Sequence, residues 1–537
     1  MKVPNQAVIT ICETADQKAD GRSIESPQNV TVTIVDSSIE DFCTAPNSPI
    51  DTSRKCPCSS TNTEDSKINS TSNGGGGIRQ AYSEGTWKIK SPADLDNLTE
   101  EEILDLAEAW IDQLKNIPES EKRKWILDKM VEAFKDSLPM TLIEILAAYS
   151  FDGDSGISMD SEPDWLDKDK FRRGQKFAME YMFGITYAEL MSLFIVFAFE
   201  EGLKPIIATG ASSTPYTAFK RYLSTGSRVR NWYSSDPWEK GTAAYNDIRS
   251  VRKMHALVRK RTAQMTPEEW ATRSSIPQPW CPALETTKRD FESTCAAPAP
   301  GQCPFTSLVK LPRSKLKLLN QGEMAITQFA FVGLTILSPE AYGIHCSEAE
   351  LEAFCHLWRG IGYLLGIEDE YNFCRGTLDD VRARSRDFLE YWVKPNFRSV
   401  VPAWEHMMRC VIQGLQYYFP GSTYETCLLD LAQVMNLHMP RLYNSLSYST
   451  WIRHRLVRFY FTYGSKLPKL RSLMNHRLEK ALERAHNFDE QKHKELEEKS
   501  AKTLESYAES QKNKDVGEKP RNTWALRFFV NMMTLDQ

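Results

Sequence analysis

The sequence predicts an all-α protein, and three observations support this. Apolar residues recur at spacings of three and four through most of the chain, which is the period of an amphipathic helix. Strand-like alternation is confined to short runs such as NVTVTIV near the N-terminus, and no internal repeat is present. A chain of 537 residues with 41% hydrophobic and 11% aromatic residues can also bury a substantial core.

Residues 1–85 form the first predicted region, and we expect them to be disordered. They are rich in Ser, Thr, Asn, Asp and Gly, so they cannot bury enough apolar surface to offset the entropy of the chain. The first twenty residues contain no continuous apolar stretch, which argues against a secretory signal. The longest apolar run, MSLFIVFAF at 191–199, is far below the ~20 residues that a membrane-spanning helix needs. These features predict an intracellular protein, cytoplasmic or in peripheral contact with a membrane.

Residues 86–465 form the predicted helical domain. It begins near TEEEILDLAEAWIDQLK, where acidic residues favour a helix start and apolar residues follow at helical spacing. The segment 266–312 is rich in proline and contains three cysteines, so we expect an irregular insertion or lid. Helical patterns resume after it and continue to about 463. Residues 466–537 are predicted to be a charged helical tail whose apolar end, RNTWALRFFVNMM, docks on another surface.

Several classes of function are disfavoured. A net charge of −5 argues against a general nucleic-acid binder, which usually carries a basic excess. The chain has no GxGxxG, GxxxxGK[ST], HExxH or GxSxG motif. Its twelve cysteines lack a regular framework and are expected to be reduced thiols.

One histidine stands out in the basic helix RSVRKMHALVRKR, residues 249–261. Ile248, Val251, His255 and Val258 lie on one stripe of this helix, whereas most of the cations lie elsewhere. The imidazole is therefore expected to face the interior, where a carbonyl, a carboxylate, a water molecule or a metal has to satisfy it. A satisfied core histidine is the ordinary interpretation, and a ligand for a bound group is the alternative.

Two further motifs allow ligand contacts. In FKRYLSTG, residues 219–226, Arg221 and Thr225 share a helical face and can hold a carboxylate or an activated oxygen. The alternative is a threonine bonded back to its own helix. In WRGIGYLLGI, Gly362 and Gly366 permit close approach of a flat ligand or, equally, of another helix. The carboxylates of GIEDEY are expected to be a solvated helix end.

Together these motifs resemble the catalytic domain of the MpaB and rubber-oxygenase (latex-clearing protein) family. The resemblance runs through FRRGQKFAMEYM at 171–182, ATG at 208–210, FKRYLSTG and the helix of His255. It resumes at ELEAFCHLWRGIGYLLGIEDEY, residues 350–371. It covers roughly 165–265 and 320–395, and its specificity rests on the order and spacing of short motifs.

The resemblance implies a globin-like helical core that holds a b-type haem. His255 would be the axial ligand of the iron, as a neutral imidazole whose other ring nitrogen donates to a carbonyl or carboxylate. Arg221 and Thr225 would be haem-pocket and catalytic residues, and the 34-residue interval from Arg221 to His255 resembles that of the family. The implied activity is that of an oxidoreductase, an oxygenase that uses molecular oxygen to cleave a carbon–carbon double bond of an isoprenoid or other hydrophobic chain.

The chain departs from the family pattern at two positions. Ser224 stands where the latex-clearing enzymes have a distal lysine, and Pro205 stands near the place of their catalytic acid. Glu200 and Glu201 lie close by but out of register. These departures keep a second interpretation open, in which the chain is a non-catalytic haem- or lipid-binding helical module derived from the same family.

Overall fold

The computed structural model describes residues 98–299, 302 and 317–515, all within one compact unit. The predicted all-α class is confirmed, because every regular element in these ranges is helical. Residues 1–85, with their predicted disorder, and the apolar end RNTWALRFFVNMM lie outside the described residues.

The first half of the described chain forms ten α-helices. In chain order they are α1 (Glu100–Lys115), α2 (Glu119–Phe134), α3 (Met140–Ala148), α4 (Lys168–Glu180), α5 (Met182–Val196), α6 (Glu200–Ala208), α7 (Pro215–Ser234), α8 (Ala243–Gln264), α9 (Pro267–Arg273) and α10 (Leu284–Thr294).

The helices of the second half follow residue 317. They are α11 (Gln321–Leu337), α12 (Glu348–Leu364), α13 (Leu378–Asp387), α14 (Lys394–Phe397), α15 (Pro402–Leu415), α16 (Tyr424–Val434), α17 (Pro440–Asn444), α18 (Tyr448–Thr462), α19 (Pro468–His486) and α20 (Glu490–Asp515). A π-helical turn, Phe388–Val393, joins α13 to α14.

Helix α5 lies in the centre of the core and packs against α11. Buried side chains line most of its circumference, which explains why its sequence is apolar almost throughout. Among the described residues no single helix is long and apolar enough to cross a membrane. Helices α4 and α5 pass that test of length and composition only as a pair, which is bent by 87°.

The RRGQ part of the family-like motif has a structural role. A Cβ atom at Gly174 would lie 2.3 Å from the carbonyl oxygen of Ala353, so glycine allows α4 to cross α12 closely. The side-chain amide of Gln175 donates to the carbonyls of Trp232 and Ser235, at 2.8 Å each, at the C-terminal end of α7. These residues therefore fix the position of α7 relative to α12.

The segment 266–312, expected to be irregular, contains the two helices α9 and α10 within its described part. The start of α9 is regular, since Thr266 forms a capping box with Glu269 and Pro267 occupies the first turn, whereas α10 begins without a side-chain cap. The residues between the two helices are fastened to α15. The backbone N–H of Trp280 donates to Nδ1 of His406 at 2.8 Å, and that of Ala283 donates to Oε1 of Glu405 at 2.9 Å.

The charged tail packs on α7. Leu478 and Leu482 of α19 and Leu496 of α20 form a small apolar cluster with Phe219 and Leu223. The Oγ of Ser500 accepts a hydrogen bond from the N–H of Tyr216 at 3.1 Å. The predicted helical tail thus covers the outer side of the helix that carries Arg221 and Thr225.

Candidate functional site

Helices α7 and α8 form an antiparallel hairpin that brings the predicted site residues together. Thr214 caps α7 and Thr242 caps α8, each by accepting a hydrogen bond from the third residue beyond it. The Asn231 side chain donates to Asp247 at 2.8 Å and fixes the register. The two helices run in opposite directions, so a step of eight residues forward from Asp247 corresponds to a step of eight residues back from Asn231. This register places His255 opposite Leu223. His255 therefore faces the turn that contains Arg221 and Thr225.

The imidazole of His255 makes no hydrogen bond with the described residues, and its Nδ1 is buried without a partner. The expected hydrogen bond from the second ring nitrogen to a carbonyl or carboxylate is therefore absent within the described part of the chain. Burial, followed by the positive charges of Arg259 and Arg221, lowers the pKa of His255 to about 4, against a smaller opposing effect of Asp154. The ring is neutral at pH 7, which is the form that binds a metal.

The guanidinium of Arg221 is half-buried and has no carboxylate partner among the described residues. Its Nη1 donates to the hydroxyl of the buried Ser212 at 3.1 Å, and its charge lies 5.6 Å from the ring centre of Tyr222. The positive charge of Arg221 contributes to the lowered pKa of His255. A cation that has no ion pair among the described residues is suited to hold an anionic or polar ligand.

Thr225 is bonded back to its own helix, which is the alternative to a ligand contact. Its hydroxyl donates to the carbonyl of Arg221 at 3.0 Å, one turn earlier in α7. While that bond is made, Oγ1 has no proton to donate and can act toward a ligand only as an acceptor.

Two arginines share the interior side of α8 with His255, whereas the other four cations of the segment are exposed, namely Arg249, Lys253, Lys260 and Arg261. Arg252 and Arg259 both bond Asp154, with 3.0 Å between Nε of Arg252 and Oδ2 and 3.5 Å between Nη2 of Arg259 and Oδ2. Burial raises the pKa of Asp154, but the bonds from Arg252 and the Gly156 N–H and the two positive charges outweigh it and lower the pKa. The Nη1 of Arg259 is buried without a partner.

Three polar side chains of the helical core are half-buried and strongly desolvated. They are Glu189 of α5, Tyr222 of α7 and His255 of α8. Burial is the main cause of the pKa shift in each of them, and it raises the pKa of Glu189 and Tyr222 and lowers that of His255.

Glu189 is the functional candidate that the sequence analysis missed. Burial raises the pKa of its carboxyl group to about 8, and the hydroxyl of Tyr233 donates to Oε1 at 3.1 Å. Tyr233 lies ten residues along α7 from Leu223, so this acid is about 15 Å along the helix from the level of His255. The signal in the sequence is a lone acid within the otherwise apolar stretch of α5.

The other candidate acids are engaged in ion pairs. Glu200 and Glu201 both lie within 3.2 Å of Nζ of Lys204. In GIEDEY, Asp369 makes a two-bond pair with Arg359, at 2.8 and 2.7 Å, while Glu368 and Glu370 bind Arg123. These groups form ion pairs at helix ends, whereas a solvated helix end was expected for GIEDEY.

Gly362 and Gly366 of WRGIGYLLGI serve the fold. A Cβ atom at Gly362 would lie 2.5 Å from the amide nitrogen of Gln328, so the glycine admits that side chain. Gly366 has φ +97° and follows the end of α12. Its N–H donates to Tyr363, and the N–H of Ile367 donates to Gly362, which is the Schellman pattern of a helix end.

A haem iron needs only one protein nitrogen as a ligand. His255 offers a neutral imidazole with no hydrogen bond to a described residue. The residues present therefore fit a single nitrogen ligand of such an iron, and the charge of Arg221 contributes to the electrostatics around it. Among the described residues no group of three or more His, Cys, Asp and Glu side chains is placed to hold a metal ion.

Comparisons with known proteins give one distant likeness. No family model matches the chain, and no curated protein matches it. One solved structure to which the chain shows a likeness is that of latex clearing protein LCP in the closed state. The two chains are 16% identical and superpose with a TM-score of 0.37, over 72% of this chain and 91% of that one. Such a likeness is too distant to carry a conclusion about function.

Proposed function

We propose that this protein is a haem-dependent oxygenase that acts on a carbon–carbon double bond of an isoprenoid or other hydrophobic chain. The observation that carries the proposal is His255, a neutral imidazole with no hydrogen bond to a described residue. It is on the helix next to that of Arg221, whose guanidinium has no carboxylate partner among the described residues. The motifs that resemble the rubber-oxygenase family place an iron ligand and a pocket arginine at these same two positions.

A haem b bound by His255 would supply the activation of molecular oxygen that such a cleavage requires. The role of the chain is to hold the ligand nitrogen, to place positive charge and to exclude water. Because the pKa of His255 is lowered to about 4, no proton has to leave the ring before it binds a metal at neutral pH. Arg221 would stabilise negative charge that develops near the iron-binding face of the pocket.

The hydrophobic substrate is expected to lie along α5. Residues Leu190, Leu193 and Val196 keep part of their surface accessible and continue the stripe of Glu189 along that helix. The side chains are apolar, so they would bind a hydrocarbon chain through its buried area. A neutral Glu189 at one end of this stripe could exchange a proton with a polar group of the substrate, since its pKa is about 8.

A second candidate function is a non-catalytic module that binds haem or a lipid. Ser224 favours it, because a serine cannot replace the distal lysine of the family, and so does Pro205, which is buried inside α6 near the place of the family's acid. In this alternative His255 still binds the group, but the protein does not catalyse the oxygenase reaction.

The test is the ultraviolet–visible spectrum of the full-length protein made with iron and haem supplied, reduced with and without carbon monoxide. We expect a Soret band that shifts with carbon monoxide and that is lost in His255→Ala. His438→Ala is the matched control, since His438 is exposed and should leave the spectrum unchanged. A haem-free wild type, or a His255→Ala spectrum like that of the wild type, would overturn the proposal.

Oxygen uptake with a polyisoprenoid substrate separates the two candidates. The oxygenase should consume oxygen and form carbonyl products with the haem-loaded wild type, whereas the binding module should give the spectrum without uptake. Arg221→Met is expected to retain haem and to lower the rate of uptake, because it removes the unpaired charge but not the ligand.

A further inference from the structure

Apolar side chains are exposed mainly in one region of the molecule, α18 and the turn that leads into α19. Seven of the ten large hydrophobic residues that are exposed in the described part of the chain lie between 448 and 473. They are Tyr448, Ile452, Leu456, Phe459, Tyr463, Leu467 and Leu473, which we call the α18 patch. Single exposed apolar residues are ordinary, but such a concentration indicates an interaction surface.

The first five residues of the α18 patch form one stripe. Their spacings of four, four, three and four residues keep them on one side of an α-helix. The opposite side of α18 is buried through His454 and Phe461, whose ring lies 5.8 Å from that of Phe183. Leu456 and Phe459 on the open side are 63% and 62% exposed. Helix α18 is thus anchored to the core by one face and presents a second apolar face outward.

The charge of the same region is entirely basic. No Asp or Glu occurs from residue 431 to residue 478, whereas this stretch contains eight Lys and Arg residues, in a chain whose net charge is −5. Arg441 and Arg471 pair with Asp290 and Glu180. By helical spacing, Arg453 and Arg455 border the apolar stripe on its two sides. Neither has an ion pair within the described residues.

We propose that the α18 patch docks the protein on an anionic lipid surface. An exposed apolar stripe with tyrosines, bordered by cations, is the composition of helices that lie in the plane of a membrane interface. The apolar and aromatic side chains would enter the boundary between headgroups and acyl chains. Arg453, Arg455, Lys466 and Lys469 would then lie at the level of the anionic headgroups.

Charge argues against two other occupants. The C-terminal segment 516–537, which lies outside the described residues, carries three cations and two carboxylates, so it offers no net negative charge to this surface. A second copy that used the same patch would bring the remaining six cations of this stretch against the same six, since Arg441 and Arg471 are ion-paired. An anionic bilayer is apolar and negatively charged at once, which matches both properties of the patch.

The experiment is flotation of the purified full-length protein with vesicles of phosphatidylcholine alone and of phosphatidylcholine with phosphatidylserine. We expect binding to the anionic vesicles that weakens as salt is added. The variant Leu456→Ser/Phe459→Ser should bind roughly tenfold or more weakly, since it removes two inserting side chains. Arg453→Glu/Lys466→Glu should lose the preference for phosphatidylserine.

Ile157→Ser/Tyr391→Ser is the matched control, because it removes two exposed apolar side chains outside the patch and should bind as the wild type does. Circular dichroism melting of each variant separates a lost surface from a lost fold. The proposal fails if the wild type does not float with anionic vesicles, or if both patch variants bind normally. It also fails if binding appears only after the chain is truncated behind Asp515, because the C-terminal segment would then cover the patch. A third contrary result is that the patch variants dissociate a dimer without changing flotation. None of these outcomes depends on haem.

Discussion

His255 in α8 and His406 in α15 both lie inside the helical core, yet their surroundings differ completely. His406 uses both ring nitrogens: Nδ1 accepts from the N–H of Trp280 at 2.8 Å, and Nε2 donates to the carbonyl of Ser213 at 2.9 Å. His255 makes no hydrogen bond to a described residue. The first is a satisfied core histidine that joins three segments of the chain, and the second has its bonding capacity free.

The difference shows what a lone histidine on an apolar helix face can mean. Burial lowers the pKa of both rings, so neutrality does not separate them. The two rings differ in the number of hydrogen bonds that the surrounding backbone makes to them, two for His406 and none from the described residues for His255. A buried polar atom without a partner costs about 1–3 kcal/mol, so the free state of His255 is expected to serve a bound group rather than the fold.

The largest expected effect follows from replacing each ring by alanine in haem-free protein. His406→Ala should lower the free energy of unfolding by about 2–4 kcal/mol, because it leaves a cavity and unpairs the Trp280 N–H and the Ser213 carbonyl. His255→Ala should change it by less than about 1 kcal/mol, since it also removes an unsatisfied nitrogen. Urea denaturation followed by circular dichroism measures both values.

His438→Ala, at an exposed position, sets the baseline for these measurements. His406→Ala should also make the chain between α9 and α10 more sensitive to limited proteolysis, since two of its backbone groups are held by α15. Equal destabilisation by the His255 and His406 variants would mean that His255 is an ordinary core residue.

Glu189 extends the comparison to a buried acid, with an intermediate expected effect. Its pKa is raised by burial from 4.5 to about 8, so the folded protein keeps a proton that the unfolded chain releases. Stability is therefore lost progressively as the pH rises from about 4.5 toward about 8. Glu189→Gln keeps an acceptor for the Tyr233 hydroxyl and removes the titration, so it should be more stable than the wild type by on the order of 2–4 kcal/mol at pH 8.

The measurement is urea denaturation of the wild type and Glu189→Gln at several pH values between 5 and 8. Glu479→Gln serves as the control, since Glu479 is paired with Arg230 near the surface and not isolated in the core. A stability difference between wild type and Glu189→Gln that does not grow with pH would contradict the raised pKa.

Local patterns in the sequence were sufficient for much of the fold. The spacing of apolar residues in each helix of the predicted domain indicates which face is buried. Arg221 and His255 lie on two consecutive helices that form one hairpin, so local sequence is sufficient to bring those helices together. The prediction of an irregular segment at 266–312 misses α9 and α10, because a high proline content disfavours helix interiors but not helix starts. The pair Thr266–Pro267, a cap followed by a proline at the first position, is a helix start that could have been recognised.

The parts of the site that come from distant segments could not be predicted in this way. Asp154 reaches Arg252 across 98 residues of sequence, and Glu189 reaches Tyr233 across 44. The spacing of α8 predicts that Ile248 and His255 face inward, but it does not indicate that Arg252 and Arg259 both bond the half-buried carboxylate of Asp154. Whether a nitrogen is left unpaired depends on every segment around it, which is a tertiary property.

The smallest expected effect concerns Thr225, which the sequence paired with Arg221 as a site residue. Since its hydroxyl proton is held by the Arg221 carbonyl, Thr225→Val replaces a local bond by a methyl group of similar volume. We expect the free energy of unfolding to change by less than about 1 kcal/mol and the haem content, read from the Soret band, to stay at the wild-type value. If haem content falls in Thr225→Val while the fold is intact, the hydroxyl must leave its helix to contact the bound group, and Thr225 then belongs with His255 rather than with the satisfied residues of the core.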